Sequence, residues 1–216
     1  MKKIGVMLSG CGVFDGAEIH ESTLTLLSID QQGAQAVCMA PDIDFDVVNH
    51  LNQQADGERR NVLVESARIA RGDIQNAKDV SAQDLDALIF PGGFGAAKNL
   101  SDFAMKGADA TVHPEIQRIL DEMMAAKKPI GAICIAPATV AKALGSHQIT
   151  VTIGNDTQTA NAIEQTGSQH SQCSVENICI DDANNIITTP AYMLGPGIKD
   201  VAIGIHKLVV EVINRA

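Results

Sequence analysis

The chain has 216 residues, 45% of them hydrophobic and 19% charged, a balance that supports a packed core and excludes an intrinsically disordered chain. Sixteen basic residues against 26 acidic ones give a formal net charge of −10, which repels a phosphate backbone, and no Lys/Arg cluster offsets it locally, so no nucleic-acid partner is expected. No apolar run reaches the roughly 18 residues of a membrane helix, and the apolar stretch after Lys2 and Lys3 breaks at Ser9-Gly10, too short for a signal-peptide core; no membrane partner is expected, and the expected location is cytoplasmic.

In chain order, residues 3–8 read as a first strand ending in the loop Ser9-Gly10-Cys11-Gly12. Residues 18–32 read as a helix carrying Ile19, Leu24, Leu26, Leu27 and Ile29, closed by Gly33 just past its end. Residues 36–39 form a second strand, stopped by Pro41. Residues 42–60 are polar and read as a long excursion. Residues 61–71 are helical, and Gly72 ends them. Residues 87–90 are a third strand running into Pro91-Gly92-Gly93-Phe94-Gly95, and residues 113–126 are a helix with Pro114 in its first turn. Residues 129–133 are an almost wholly apolar strand, followed by a short helix over 137–144. Candidate strands lie at 149–153, 174–180 and 186–189, and a final helix runs over 198–214.

Strands alternating with helices predict an α/β fold with a mostly parallel sheet covered on both faces, in one domain over residues 1–216. The apolar runs at 87–90 and 129–133 lack period-two alternation, as strands buried on both sides should. In such sheets the working site lies outside the carboxyl ends of the strands. That selects the loops at 10–16, 91–95 and 134–137.

Ala132-Ile133-Cys134-Ile135-Ala136-Pro137 puts a thiol where a buried strand turns into a helix, with small residues two places to either side. This is the layout of a nucleophile elbow with Ala in place of both Gly, and a helix N-terminus beneath it favours a thiolate. The alternative is a buried structural cysteine. Glycines in Pro91–Gly95 either present free N–H groups to an oxyanion or form a plain tight turn. The first loop misses a dinucleotide fingerprint because Asp15 stands where the third Gly should be, and Asp15, Glu18 and Glu21 would oppose a pyrophosphate. Glu21 lies early in its helix and can face the sheet's carboxyl edge, where burial beside a thiol raises its pKa for proton transfer. Glu18 reads as an ordinary helix N-terminal acid. Cys11 also sits on a carboxyl-end loop and is a candidate resolving thiol for Cys134. No CxxC pair occurs among the five cysteines, so no metal site is indicated. His113-Pro114-Glu115 precedes Cys134, the wrong order for a glutaminase triad.

The segments Gly10–Glu21, Pro91–Leu100, Cys134–Pro137 and Thr188–Met193 together resemble the ThiJ/PfpI branch of the class I glutamine amidotransferase-like superfamily, and within it the ElbB-like isoprenoid biosynthesis proteins with an amidotransferase-like domain. The resemblance implies a flavodoxin-like α/β/α sandwich, a homodimer, no cofactor, Cys134 as nucleophile with Glu21 beside it, and Gly93 and Ile135 as oxyanion-hole amides. By motif position it makes Cys11, Thr189 and Tyr192 pocket candidates. The implied function is a glutathione-independent glyoxalase that turns glyoxal, a small dicarbonyl, into glycolate, or a protein deglycase. The alternative is a non-catalytic cysteine-oxidation sensor or regulatory module. Protease-like members carry His directly after the nucleophile; Ile135 stands there, which argues against a peptidase triad.

Overall fold

The computed structural model describes residues 1–216. Its strands and principal helices are, in order, β1 (Lys3–Met7), α1 (Ile19–Gln31), β2 (Gln35–Ala40), β3 (Asp44–Asn49), β4 (Gln54–Asn61), α2 (Val62–Ile69), β5 (Gln75–Asn76), β6 (Ala87–Phe90), α3 (Phe94–Lys98), α4 (Phe103–Lys106), α5 (Pro114–Ala125), β7 (Ile130–Ile133), α6 (Ala136–Leu144), β8 (Thr150–Val151), α7 (Thr157–Gln165), β9 (Gln169–His170), β10 (Cys179–Asp181), β11 (Ile186–Thr189) and α8 (Ile198–Arg215).

Seven strands form the main sheet in the order β10-β11-β7-β6-β1-β2-β5. All pairings are parallel except β10 with β11. The expected α/β sandwich is therefore present. Alternate residues of β1 feed two cores. Ile4 and Val6 face Ile29 of α1 and Val201, Leu208 and Val212 of α8. Met7 faces the opposite side, with Leu88, Phe90 and the Ile116, Ile119 and Met123 face of α5. β6 and β7 are buried along their whole length, which is why their sequences show no alternation.

Three expectations change. Residues 42–60 are not an irregular excursion: β3 and β4 form an antiparallel hairpin. In β3, Phe45 and Val47 point inward between exposed Asp44 and Asp46, the period-two signature of a half-buried strand. The strand expected over 149–153 shrinks to β8, which leaves the main sheet and pairs with β9. The strand expected over 174–180 is only β10, an edge strand.

The sheet also fixes where a site can form. β1 has β2 on one side and β6 on the other, so the chain reverses its direction of growth between β1 and β6. Loops after these two strands diverge and leave a crevice at the carboxyl edge.

Candidate active site

Cys134 closes β7. Its N–H donates to the carbonyl of Thr189 at 2.9 Å, and its φ of +62° lies in the left-handed region. A non-glycine residue held there costs on the order of 1–3 kcal/mol and persists only where its surroundings enforce it. Ala136 and Pro137 then start α6, so the nucleophile-elbow geometry expected from the sequence is formed.

Glu21 enters from the first turn of α1 and is fully buried. Glu18 caps that helix, its Oε2 accepting the Glu21 N–H at 2.7 Å, the ordinary role expected of it. Both carboxyl oxygens of Glu21 are held by backbone. Oε2 accepts the Gly92 N–H at 2.9 Å, and Oε1 accepts the Tyr192 N–H at 3.2 Å. The remaining side-chain partner is the Cys134 thiol. One carboxyl thus joins α1, the loop after β6, the loop after β11 and the elbow. Gly92 must lack a side chain, because a Cβ there would overlap Cys134 Cβ and Glu21 Oε2.

The N–H groups of Gly93 and Ile135 favour negative charge on the Cys134 sulfur, and neither donates to a backbone carbonyl. Gly93 has φ of +92° and packs on Gly16 and Glu18, where a Cβ has no room. Phe94 N–H donates to Val13 O at 2.7 Å, and Gly95 N–H to Gly16 O at 2.9 Å, which locks the loop after β6 onto the loop after β1.

Burial, and then the negative charge of Glu18, push the Glu21 carboxyl up to about 8, against the pull of the Tyr192 and Gly92 amides. Burial, and then the Glu21 charge, push the Cys134 thiol well above its ordinary value, against the pull of the Gly93 and Ile135 amides. Two buried acids in contact cannot both ionise cheaply, so the first proton belongs to the pair. Once it leaves, the single negative charge has two amides at each end to receive it.

A cavity of about 420 Å³ opens over Cys134. Val13, Phe94, Ile135 and Met193 give it apolar walls, and Asp156 and Tyr192 supply polar edges. The Tyr192 hydroxyl lies 2.8 Å from His20 Nδ1. No histidine lines the cavity. His113 instead caps α5, its Nδ1 accepting the Glu115 N–H. No cluster of three or more His, Cys, Asp or Glu residues is placed to hold a metal ion. No helix is long and apolar enough to cross a membrane.

Of the expected site residues, the structure brings Cys134, Glu21, Gly93, Ile135 and Tyr192 together and leaves two outside. Thr189 turns its hydroxyl to the Asn177 carbonyl at 2.8 Å; only its own carbonyl serves the elbow. Cys11 is half-buried among Glu65, Arg68 and Asp15. The Gly10 N–H donates to Ser66 Oγ of α2 at 2.9 Å, which holds the Cys11 end of that loop against α2. All five cysteines are free thiols. Asp15 does not belong to the site either: its Oδ2 accepts the Val48 N–H at 2.8 Å and ties the hairpin to the first loop.

Sequence reasoning missed Asp156, Thr159, Val13, Phe94, Met193 and His20. Val13 and Phe94 lie in the loops selected at 10–16 and 91–95, and Met193 ends the Thr188–Met193 segment; Asp156 also left a signal, as an N-cap acid before Thr157–Gln165, its side chain accepting the Thr159 N–H at 2.7 Å.

Residues 13–193 match the DJ-1/PfpI family. Over 223 aligned residues the chain is 43% identical to glutamine amidotransferase-like class 1 domain-containing protein 3, mitochondrial, of Homo sapiens, covering 98% of this chain and 82% of that protein. It is 42% identical to the ES1 protein homolog, mitochondrial, of Rattus norvegicus, covering 98% and 83%. The crystal structure of an isoprenoid biosynthesis protein with an amidotransferase-like domain from Ehrlichia chaffeensis superposes with a TM-score of 0.94 at 36% identity, covering 100% of this chain and 99% of that one. These names correct the expected cytoplasmic location: the human and rat relatives are mitochondrial proteins, as is the Danio rerio ES1 protein, 31% identical over 88% of this chain and 76% of that protein. The family match, these relatives and the shared fold place the chain in the DJ-1/PfpI family of class I glutamine amidotransferase-like proteins.

Proposed function

We propose that the protein is a cofactor-free enzyme that converts glyoxal or a similar small dicarbonyl to a 2-hydroxy acid. The reading rests on the strained, buried Cys134 packed beside a buried Glu21 whose carboxyl keeps its proton near neutral pH.

The pair first loses one proton to solvent, leaving a thiolate beside a carboxylic acid. The thiolate adds to one carbonyl carbon, forming a C–S bond. The carbonyl oxygen takes the proton from Glu21, while the Gly93 and Ile135 amides hold the developing charge. The Glu21 carboxylate then removes the C–H proton of the hemithioacetal, the hydroxyl proton passes to the neighbouring oxygen through an enediol, and Glu21 returns its proton to the neighbouring carbon, giving a thioester. One carbon is oxidised and the other reduced, so no external redox partner is needed. Water cleaves the resulting thioester, releasing glycolate from glyoxal and restoring the thiol. The same pocket would accept a dicarbonyl adduct on an exposed side chain, as deglycation requires. The homodimer expected from the resemblance is kept as part of this reading, and sedimentation velocity showing only monomer would remove it.

The test is glycolate formation from glyoxal. Cys134→Ala should abolish it, and Glu21→Gln should lower kcat/KM by about two to three orders of magnitude. Wild-type turnover in either variant would sink the reading. One observation favours a second reading, oxidation sensing: the Gly93 and Ile135 amides favour negative charge at Cys134, which a sulfinate would carry. Selective addition of two oxygens to Cys134 under mild peroxide, in a protein with no turnover, would favour it.

A further inference from the structure

The cavity over Cys134 is larger than glyoxal needs. At about 30 Å³ per water-sized group, the four heavy atoms of glyoxal fill roughly 120 Å³. The cavity holds about 420 Å³. Beside it lies a second trough of about 310 Å³, and Phe94, Ile135 and Thr159 line both. Phe103, Met105 and Ala162 line the far part of that trough. Met105 and Phe94 expose apolar surface there, at 61% and 44%. No Lys or Arg lines either space, and the charged residue present is the acid Asp156. A carboxylate or phosphate on the substrate would find no counter-ion and one repelling neighbour.

We propose that the site takes an uncharged aldehyde or 2-oxoaldehyde bearing an apolar chain of about four to six carbons, its carbonyl at Cys134 and its chain over Ile135, between Phe94 and Thr159, reaching Met105 and Ala162. This rests on Cys134 being the nucleophile and names the substrate class for that same chemistry. The apolar trough supplies binding energy remote from the reacting carbon, so chain length raises the rate of attack at Cys134.

Thiol alkylation reads this without turnover. An iodoacetamide forms an S–C bond at Cys134, iodide leaves, and the thiol proton goes to solvent. Rates at each cysteine are measured by peptide mass spectrometry with iodoacetamide, N-butyl- and N-hexyl-iodoacetamide and iodoacetate, each divided by its rate with free glutathione. Cys173 and Cys179, half-buried and outside the trough, are internal controls. At Cys134 the hexyl reagent should react about tenfold faster than iodoacetamide, a fraction of what full burial of its six-carbon chain would give. Iodoacetate should react about tenfold slower than iodoacetamide, and the controls should show neither trend. Ala162→Trp fills the trough and should bring the hexyl preference near unity. Met105→Ala, at an exposed position, should reduce it about threefold without threatening the fold. Equal normalised rates for all chain lengths at Cys134, or a preference shared by the controls, would overturn the proposal. So would a Cys134 that reacts with none of the reagents. Absence of glyoxal turnover alongside a steep chain-length preference would instead overturn only the glyoxalase reading.

Discussion

Glu21 is the residue on which the site turns, because its carboxyl joins the loop after β6 to the loop after β11 beside the elbow. Its oxygens accept the Gly92 and Tyr192 amides, and its remaining partner is Cys134. Attack requires a thiolate, and the pair releases its first proton near 8 because burial and the Glu18 charge hold Glu21 protonated. We therefore expect kcat/KM for glyoxal to climb between pH 6.5 and 9 with an inflection near 8, an inflection absent from Glu21→Gln. A flat wild-type profile over that range would contradict a shared-proton pair. Cys134 was legible in the sequence because strand, turn and helix around it are all local. Glu21 was legible because its place in the first turn of α1 fixes which edge it faces. Thr189 was not: a motif fixes where its backbone lies, but whether its carbonyl or its hydroxyl meets the site is decided by β7 and by Asn177. Cys11 failed for a related reason, since the loop carrying it is pulled toward Ser66 by a contact remote in sequence.

At the scale of elements, long apolar runs declared themselves and short ones did not. β6 was read with its own boundaries, and β1, β2, β7 and α1 to within a residue or two. β5, β8 and β9 have two residues each, too few to carry a period, and exist because a neighbouring strand offers hydrogen bonds. The β3–β4 hairpin hid behind its charge: β4 exposes most of its length. Only Phe45 and Val47 anchor it by burial. Its polar anchor is Asp15, which accepts the Val48 N–H and lies 3.8 Å from His50 Nε2. Asp15→Ala removes a buried charged acceptor and leaves that amide unpaired, a loss of roughly 1.5–3 kcal/mol. The loss should be local. We expect the Val48 amide to exchange faster and protease to cut near the exposed tip at Leu51, with glyoxal turnover reduced less than threefold. Unchanged proteolysis would show that the hairpin is held by its apolar pair alone.

Over the whole molecule, strand order was beyond the sequence, since propensity names strands but not neighbours. The growth reversal between β1 and β6 nevertheless has a consequence that reaches global stability, because it places Glu21 at the crevice with no water. In the unfolded chain this carboxyl ionises near its ordinary 4.5, whereas in the folded protein it holds its proton to about 8. Between those values the unfolded state binds fewer protons, so the contribution of Glu21 to stability is full below 4.5 and is lost as pH rises to 8. The loss approaches roughly 4–5 kcal/mol as an upper bound, at 1.36 kcal/mol per pH unit. Glu21→Gln cannot ionise, but its amide donor must face one of the two backbone N–H groups that the carboxyl accepts, a penalty of roughly 1–3 kcal/mol at every pH. The variant should therefore unfold at lower urea than wild type at pH 5 and gain steadily on it toward pH 8. The difference isolates Glu21, because the other titrating groups, Cys134 aside, are common to both proteins. Glu21 and Cys134 hold that proton between them, so below about 8 the pair stays protonated in the fold whichever of the two releases it. Urea midpoints that keep a constant separation from pH 5 to 8 would show that Glu21 is ionised in the fold, and the proton on which the proposed chemistry depends would be gone.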